Sequence, residues 1–291
     1  MKSITILSGK GGVGKSSIAA SMAVLLSRKK NIVAVDCDVD ASNLALVFGI
    51  GKFEKESFIS TNYKAFLDRE KCNSCRKCLD VCTFSAIEWD KGKNIPVING
   101  FLCEGCGSCR LVCPQNAIEL RRVKNAVIGR ADTGYGFPLV SGQLKMGASG
   151  SGKVVSEVKI EAEKMGGDVM VIDAAAGIGC PVIASVLGSD YVIAVTEPSP
   201  AALSDMKRAL EVVNHFGIPH GIVINKFDLN KPFSGKIIEF AMENNIPVLG
   251  KIPYSRKFVE AMVSMKPVVI YDRGFEKIFY EIAKKIEYVW V

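Results

Sequence analysis

Residues 3–16 read SITILS-GKGGVGKS: a short β-branched run, then Gly9-Lys10-Gly11-Gly12-Val13-Gly14-Lys15-Ser16. The loop fits the phosphate-binding pattern G-x-x-x-x-G-K-S/T, and an apolar-periodic helix is expected behind it to about Arg28. Strand before and helix after is the context that this pattern requires. Glycines let successive backbone N–H groups turn toward phosphate oxygens, and the helix N-terminus adds its dipole. Lys15 is expected to reach the β- and γ-phosphates and the Ser16 hydroxyl to hold Mg²⁺, with Ser17 closing the nucleotide-contacting run.

Outward from this loop, short apolar runs alternate with helical stretches. Asn31–Asp36, Asp168–Asp173, Asp190–Thr196, Gly221–Asn225 and Ile246–Ile252 each read as a buried strand. Alternation of this kind predicts an α/β fold with a mostly parallel sheet covered on both faces. Right-handed crossovers then bring the loops after the strands to one edge, where ligands bind.

A different segment interrupts the pattern. Cys72-x₂-Cys75-x₂-Cys78-x₃-Cys82 recurs 31 residues later as Cys103-x₂-Cys106-x₂-Cys109-x₃-Cys113-Pro114, and Ala86-Ile87-Glu88 recurs as Ala117-Ile118-Glu119. Both runs match the spacing of bacterial ferredoxins, in which the fourth cysteine serves the other cluster. This assigns Cys72, Cys75, Cys78 and Cys113 to one 4Fe–4S cluster and Cys82, Cys103, Cys106 and Cys109 to a second. Zinc is the competing reading, although zinc sites favour cysteine pairs split by a longer loop. Thr83 stands where proline would follow the first run. Expected boundaries are 1–64 and 123–291 for the two parts of the nucleotide-binding domain, with an inserted ferredoxin-like α+β module at 65–122.

The bulk numbers agree with a folded protein. The chain has 291 residues, nearly half hydrophobic, and its net charge of +7 is spread without a block of like charges. Neither nucleic-acid binding nor a membrane span is expected, the N-terminus runs too soon into glycines for a signal peptide, and the cytoplasm is the expected compartment. In that setting ten cysteines point to metal ligation rather than disulfides.

Two carboxylates sit at strand ends near the loop. Asp38, in Asp36-Cys37-Asp38, and Asp173 are suited to hold Mg²⁺ with Ser16 and to position water, although a buried aspartate there could instead cap the next helix. Asn225-Lys226-Phe227-Asp228 matches a guanine-reading N-K-x-D, which keeps GTP open beside ATP.

The loop with lysine at its second position resembles the deviant Walker A signature of the MinD/ParA/nitrogenase-iron-protein clan. The resemblance implies that Lys10 reaches the partner's nucleotide across a sandwich dimer, formed with itself or a close homologue. It likewise implies that Asp36-Cys37-Asp38 and Asn43-Leu44 form the first switch and that Asp173 is the Walker B aspartate. Ala174–Gly179 would be the second switch, with Gly177 sensing the γ-phosphate. Asn225-Lys226 would lie against adenine, with Thr196–Pro200, including Glu197 and Pro198, as another wall. Taken whole, the chain resembles MinD-superfamily ATPases carrying an inserted ferredoxin domain. That implies an ATPase whose dimer switching gates electron or cluster transfer to a redox or metalloprotein client. An assembly or delivery factor is the alternative, and a positioning ATPase a third.

The remaining candidates are less telling. Cys180 has a spacing from Asp173 similar to a cluster-bridging cysteine of the nitrogenase iron protein, which implies an interface role. Cys37 reads as a small buried hydrophobe, and His215 and His220 as surface or packing residues. Gly147–Lys153 has the glycine spacing of a phosphate loop but Val154 in place of the hydroxyl, and reads as a loop leading into a helix near 153–165. The C-terminal helix from Phe275 to Trp290 mixes glutamates and lysines on its polar side and is expected to dock on the core rather than on a membrane.

Overall fold

A computed structural model describes residues 1–289. Trp290, assigned by sequence to the C-terminal helix, lies outside the described residues. The chain forms two compact units: residues 1–57, 128–143 and 151 onward make one, and residues 58–127 with 144–150 make the other.

The first unit is built on a sheet ordered Val248–Ile252, His220–Asn225, Tyr191–Thr196, Lys2–Ser8, Val169–Ala176, Ile32–Cys37, Pro138–Leu144, Ala126–Asp132, Lys55–Ile59. Neighbours from Val248–Ile252 through Pro138–Leu144 run parallel. Burial on both faces explains the continuous apolar runs. Along Lys2–Ser8 the side chains alternate: Ile4 and Ile6 pack into one cluster with the helix Lys15–Ser27, and Leu7 into another with Val182, Val186 and Val213. The helix Glu276–Lys285 docks on the first of these clusters through the fully buried Phe279 and Ile282, and Arg28 pairs with its Glu276 at 2.8 Å. Among the described residues no helix is long and apolar enough to cross a membrane.

Three strands were not anticipated: Lys55–Ile59, Ala126–Asp132 and Pro138–Leu144. The strand ending in Asp173 also runs on to Ala176, so the three alanines belong to the sheet rather than to a loop. Ser8 and Cys37 pair with Ala176 and Ala174 and hold them extended, despite alanine's weak preference for strands. The turn begins at Gly177. The helix expected near 153–165 spans Ser151–Glu163.

That helix is fastened at both ends to the short helix Cys180–Val186. Gly152 lies against the Cys180 backbone at its start. Near its end, the Lys159 ammonium donates to the carbonyls of Ala184, Ser185 and Leu187, three acceptors at the far end of the short helix.

The second unit starts earlier and ends later than the cysteine pattern suggests. Asn62–Leu67 pairs antiparallel with Ile118–Val123, and Ile87–Asp90 with Ile95–Ile98. Asn125, buried, explains the wider boundary: its side chain accepts from the Thr61 N–H and donates to the Thr61 hydroxyl and the Ser149 carbonyl. The repeat seen in sequence is also in the backbone. Asp68 donates its N–H to the Ala117 carbonyl and Asn99 donates to the Ala86 carbonyl, both at 2.7 Å. Left-handed backbone recurs at the paired positions Ser74 and Gly105, Arg76 and Gly107, Ser85 and Asn116.

Candidate functional site

In the first unit the loop Gly9–Gly14 joins the strand Lys2–Ser8 to the helix Lys15–Ser27. Gly9 is required by packing. A Cβ there would run into the backbone of Asp205 and Met206 on the helix Pro200–His215. Gly9→Ala is therefore expected to cost about 1–3 kcal/mol, read as a lowered urea midpoint; an unchanged midpoint would mean that the helix yields freely.

The Lys15 ammonium is buried and lies 2.5 Å from Asp173 Oδ1 and 3.8 Å from Asp38 Oδ2. Burial alone would lower Lys15, but Asp173, with Asp38 and Asp36 behind it, holds it above its usual value. The other oxygen of Asp173 is buried without a hydrogen-bond partner. A buried acceptor of that kind suits a cation. Half-buried Asp38 is raised by burial, with Lys15 pulling the other way. Ser16 sits in the first turn of the same helix, half-buried, and Gly177 donates its N–H to the Ser8 carbonyl at 2.9 Å.

Asp36 was not singled out as a site residue. Its fully buried carboxylate accepts from the Leu44 N–H at 3.0 Å and the Asp38 N–H at 3.1 Å, which fixes the segment between them. A carboxylate closing an apolar strand was the available signal. Burial, reinforced by Asp173, pushes Asp36 up to about 8, against Lys15 and the two backbone donors. Between about pH 4, where an unfolded aspartate titrates, and about pH 8, the folded chain keeps a proton that the unfolded chain has lost. Stability of the nucleotide-free protein therefore falls as pH rises through this window, by up to about 1.4 kcal/mol per pH unit. Asp36→Asn should flatten urea midpoints between pH 5 and 8. Identical slopes in variant and wild type would remove Asp36 as the source.

Asn225 and Lys226 brace the loop from outside. Asn225 Nδ2 donates to the Val13 carbonyl at 2.7 Å and Lys226 Nζ to the Gly12 carbonyl at 3.2 Å. Beside them opens a cleft of about 160 Å³, lined by Gly12, Gly14, Ser17, Asn225, Lys226, the stretch Pro253–Ser255, Phe258 and Met262. Glu197 is not part of this lining. It binds Lys10 at 2.7 Å and Lys226 at 2.9 Å, while Pro198 is buried beside it. Partial burial would raise Glu197, but the two lysines outweigh it and hold the carboxyl below its usual range. The lining of this cleft includes Pro253–Ser255 and none of Thr196–Pro200. Asp228 is also absent from the lining, and its Oδ1 accepts from the Tyr254 N–H at 2.6 Å.

In the second unit the thiols line two cavities. Cys72, Cys75, Cys78 and Cys113 line one, with Leu67, Arg76, Pro96 and Ile118; Cys82, Cys103, Cys106 and Cys109 line the other, with Ala65, Ile87 and Ile98. Each cavity takes three thiols from one repeat and one from the other. Among the described residues no group of three or more His, Cys, Asp or Glu side chains is placed to hold a single metal ion. Cys180 is exposed at the first position of its helix, and Cys37 is fully buried with its thiol pushed up to about 12 by burial. His220 Nδ1 lies 2.9 Å from the Ile218 carbonyl, and His215 packs edge-on against Phe216.

Comparison with known proteins bears on the whole chain. An uncharacterised protein of Methanocaldococcus jannaschii is 42% identical over 228 residues, 78% of this chain and 79% of its own length. An iron-sulfur cluster carrier protein of Pyrococcus horikoshii is 26% identical over 301 residues, 97% of this chain and 84% of its own. The cell division ATPase MinD of Pyrococcus furiosus has the same fold, with a TM-score of 0.59 at 20% identity and 99% of both chains covered. Residues 4–268 match the family described as CobQ/CobB/MinD/ParA nucleotide binding domain. With the phosphate loop, the buried Lys15–Asp173 pair and the parallel sheet in place, the chain belongs to this MinD/ParA family of nucleotide-binding ATPases.

Proposed function

We propose that this ATPase carries two resident 4Fe–4S clusters and that nucleotide-driven dimer switching gates electron transfer from them to a client protein. The observation that carries the reading is the sorting of the eight cysteines into two four-thiol cavities, each drawing its fourth thiol from the other repeat. Four thiols spread around a cavity suit a polynuclear centre, whereas zinc needs its four donors gathered about 2.3 Å from one point. Burial of Cys78, Cys103 and Cys109 within the unit's own apolar cluster supports centres that stay in place. Such clusters would supply one-electron chemistry.

On the nucleotide side, Lys15 exchanges Asp173 and Asp38 for phosphate oxygens, which frees both carboxylates to hold Mg²⁺ with Ser16. Asp38, the more exposed of the two, orients the attacking water. Lys10 must leave Glu197 before it can reach a partner's nucleotide, and Lys226 remains to neutralise Glu197 when it does. ATP is favoured over GTP by membership of the MinD/ParA family, and Asp228, the residue that would read guanine, is absent from the cleft lining. Asn225 and Lys226 then act by bracing the loop beside the base.

A second reading, delivery of clusters as cargo, draws support from the relatives named iron-sulfur cluster carriers. One sample tests both. Protein purified without oxygen is expected to hold about eight irons and eight sulfides per chain and to hydrolyse ATP faster than GTP. Its reduction potentials should move when nucleotide binds. Colourless or zinc-bearing protein would overturn the cluster reading; identical potentials with and without nucleotide would overturn the gating; iron lost to an apo-protein during turnover would favour delivery.

A further inference from the structure

The two thiol cavities are related by the 31-residue repeat, yet the sulfurs in them are not equally hydrogen-bonded. One bond is shared by symmetry. Ala86 donates its N–H to Cys82 Sγ and Ala117 to Cys113 Sγ, each at 3.2 Å, so each cavity receives one. Two further contacts occur only in the cavity of Cys82, Cys103, Cys106 and Cys109. The Ala65 N–H donates to Cys103 Sγ at 3.4 Å, and the Ser108 hydroxyl lies 3.5 Å from Cys106 Sγ.

Sequence explains why the other cavity lacks them. Counting 31 residues on, Ala65 corresponds to Pro96, which has no N–H to give. Ser108 corresponds to Lys77, which is exposed and makes no hydrogen bond to a cysteine sulfur. Gly105 lets the Ala65 strand come close, since a Cβ there would strike the Tyr63 carbonyl; its counterpart Ser74 carries one. The repeat has thus been edited at three positions, all in the same sense.

Hydrogen bonds to cluster and cysteine sulfur stabilise the more negative, reduced state and raise the potential. Charge acts the other way here: Arg76 lines the first cavity and Glu104 the second. Both are exposed, and the Arg76 guanidinium is stacked over Trp89 at 4.4 Å. Water screens such charges, while the sulfur contacts act at bonding distance.

Resting on the proposed reading of the cavities as cluster sites, we infer that the two centres are unequal. The one held by Cys82, Cys103, Cys106 and Cys109 has the higher potential and takes the first electron. When one electron is present it leaves the Cys72, Cys75, Cys78 and Cys113 centre oxidised and the other reduced. Transfer between them is then downhill in one direction, from the Pro96 side to the Ala65 side. Ser108 acts as a potential-setting residue.

The test is a dithionite titration of the anaerobic full-length protein followed by electron paramagnetic resonance. Two separate potentials are expected. Ser108→Ala should lower only the higher one, Ser108→Thr should restore it, and Pro96→Ala should raise only the lower one, so that the gap narrows from both sides. If Ser108→Ala shifts the lower potential or neither, or if Arg76→Gln moves the higher-potential centre instead, the inference fails while the eight irons still stand. Protein without iron and sulfide would defeat the cluster reading and this inference together.

Discussion

Lys15→Met is expected to slow ATP hydrolysis by about 10²–10³-fold or more and to destabilise the nucleotide-free protein by about 3–5 kcal/mol. The first effect is expected from losing the cation that, on the proposed reading, meets the phosphates of the nucleotide bound by its own loop. The second follows from what Lys15 touches in the absence of nucleotide. Asp173 is 1% exposed, one of its oxygens already lacks a partner, and Asp36 lies fully buried beside it. Removing the lysine leaves an uncompensated carboxylate in a place that water does not reach, which costs more than an ion pair at the surface ever returns. Urea unfolding of the variant alone and of Lys15→Met with Asp173→Asn separates the two roles. Stability should return in part with the double change, while hydrolysis should not. Unchanged stability in the single variant would show that Asp173 has another partner.

Paired cysteine substitutions are the second large effect. Cys72→Ala with Cys113→Ala removes two thiols from one cavity, and about four irons should remain. Cys72→Ala with Cys103→Ala removes one thiol from each cavity, and iron should fall toward zero. The contrast depends only on which thiols share a cavity, since each double variant loses two cysteines. Equal iron in the two variants would contradict the crossed arrangement of the repeats. ATP hydrolysis serves as a check that the first unit remains folded.

Much of this is legible in the sequence, and the exceptions have physical causes. A phosphate loop needs its strand and helix immediately around it, so local sequence announced it. The parallel strands did so too, because burial on both faces leaves apolar runs such as Tyr191–Thr196 with no polar alternation. Lys55–Ile59 carries four exposed residues in five at the end of the sheet order, and nothing in it demands burial. Pro138–Leu144 opens on proline and contains Gly142, two residues that argue against a strand. The cleft wall at Pro253–Ser255 lies far along the chain from the loop it faces. Its position just after a parallel strand was the usable clue, because that edge of the sheet collects ligands. Asp36 and Asp38 are alike in sequence, two carboxylates flanking Cys37, and only burial and the two backbone donors to Asp36 distinguish them.

The helix Ser151–Glu163 follows directly on the last residue of the second unit, and it is clamped to Cys180–Val186 through Gly152 at one end and Lys159 at the other. Two helices held at both ends pivot together or not at all. A rotation of the helix Ser151–Glu163 therefore carries with it the start of the helix that follows Gly177.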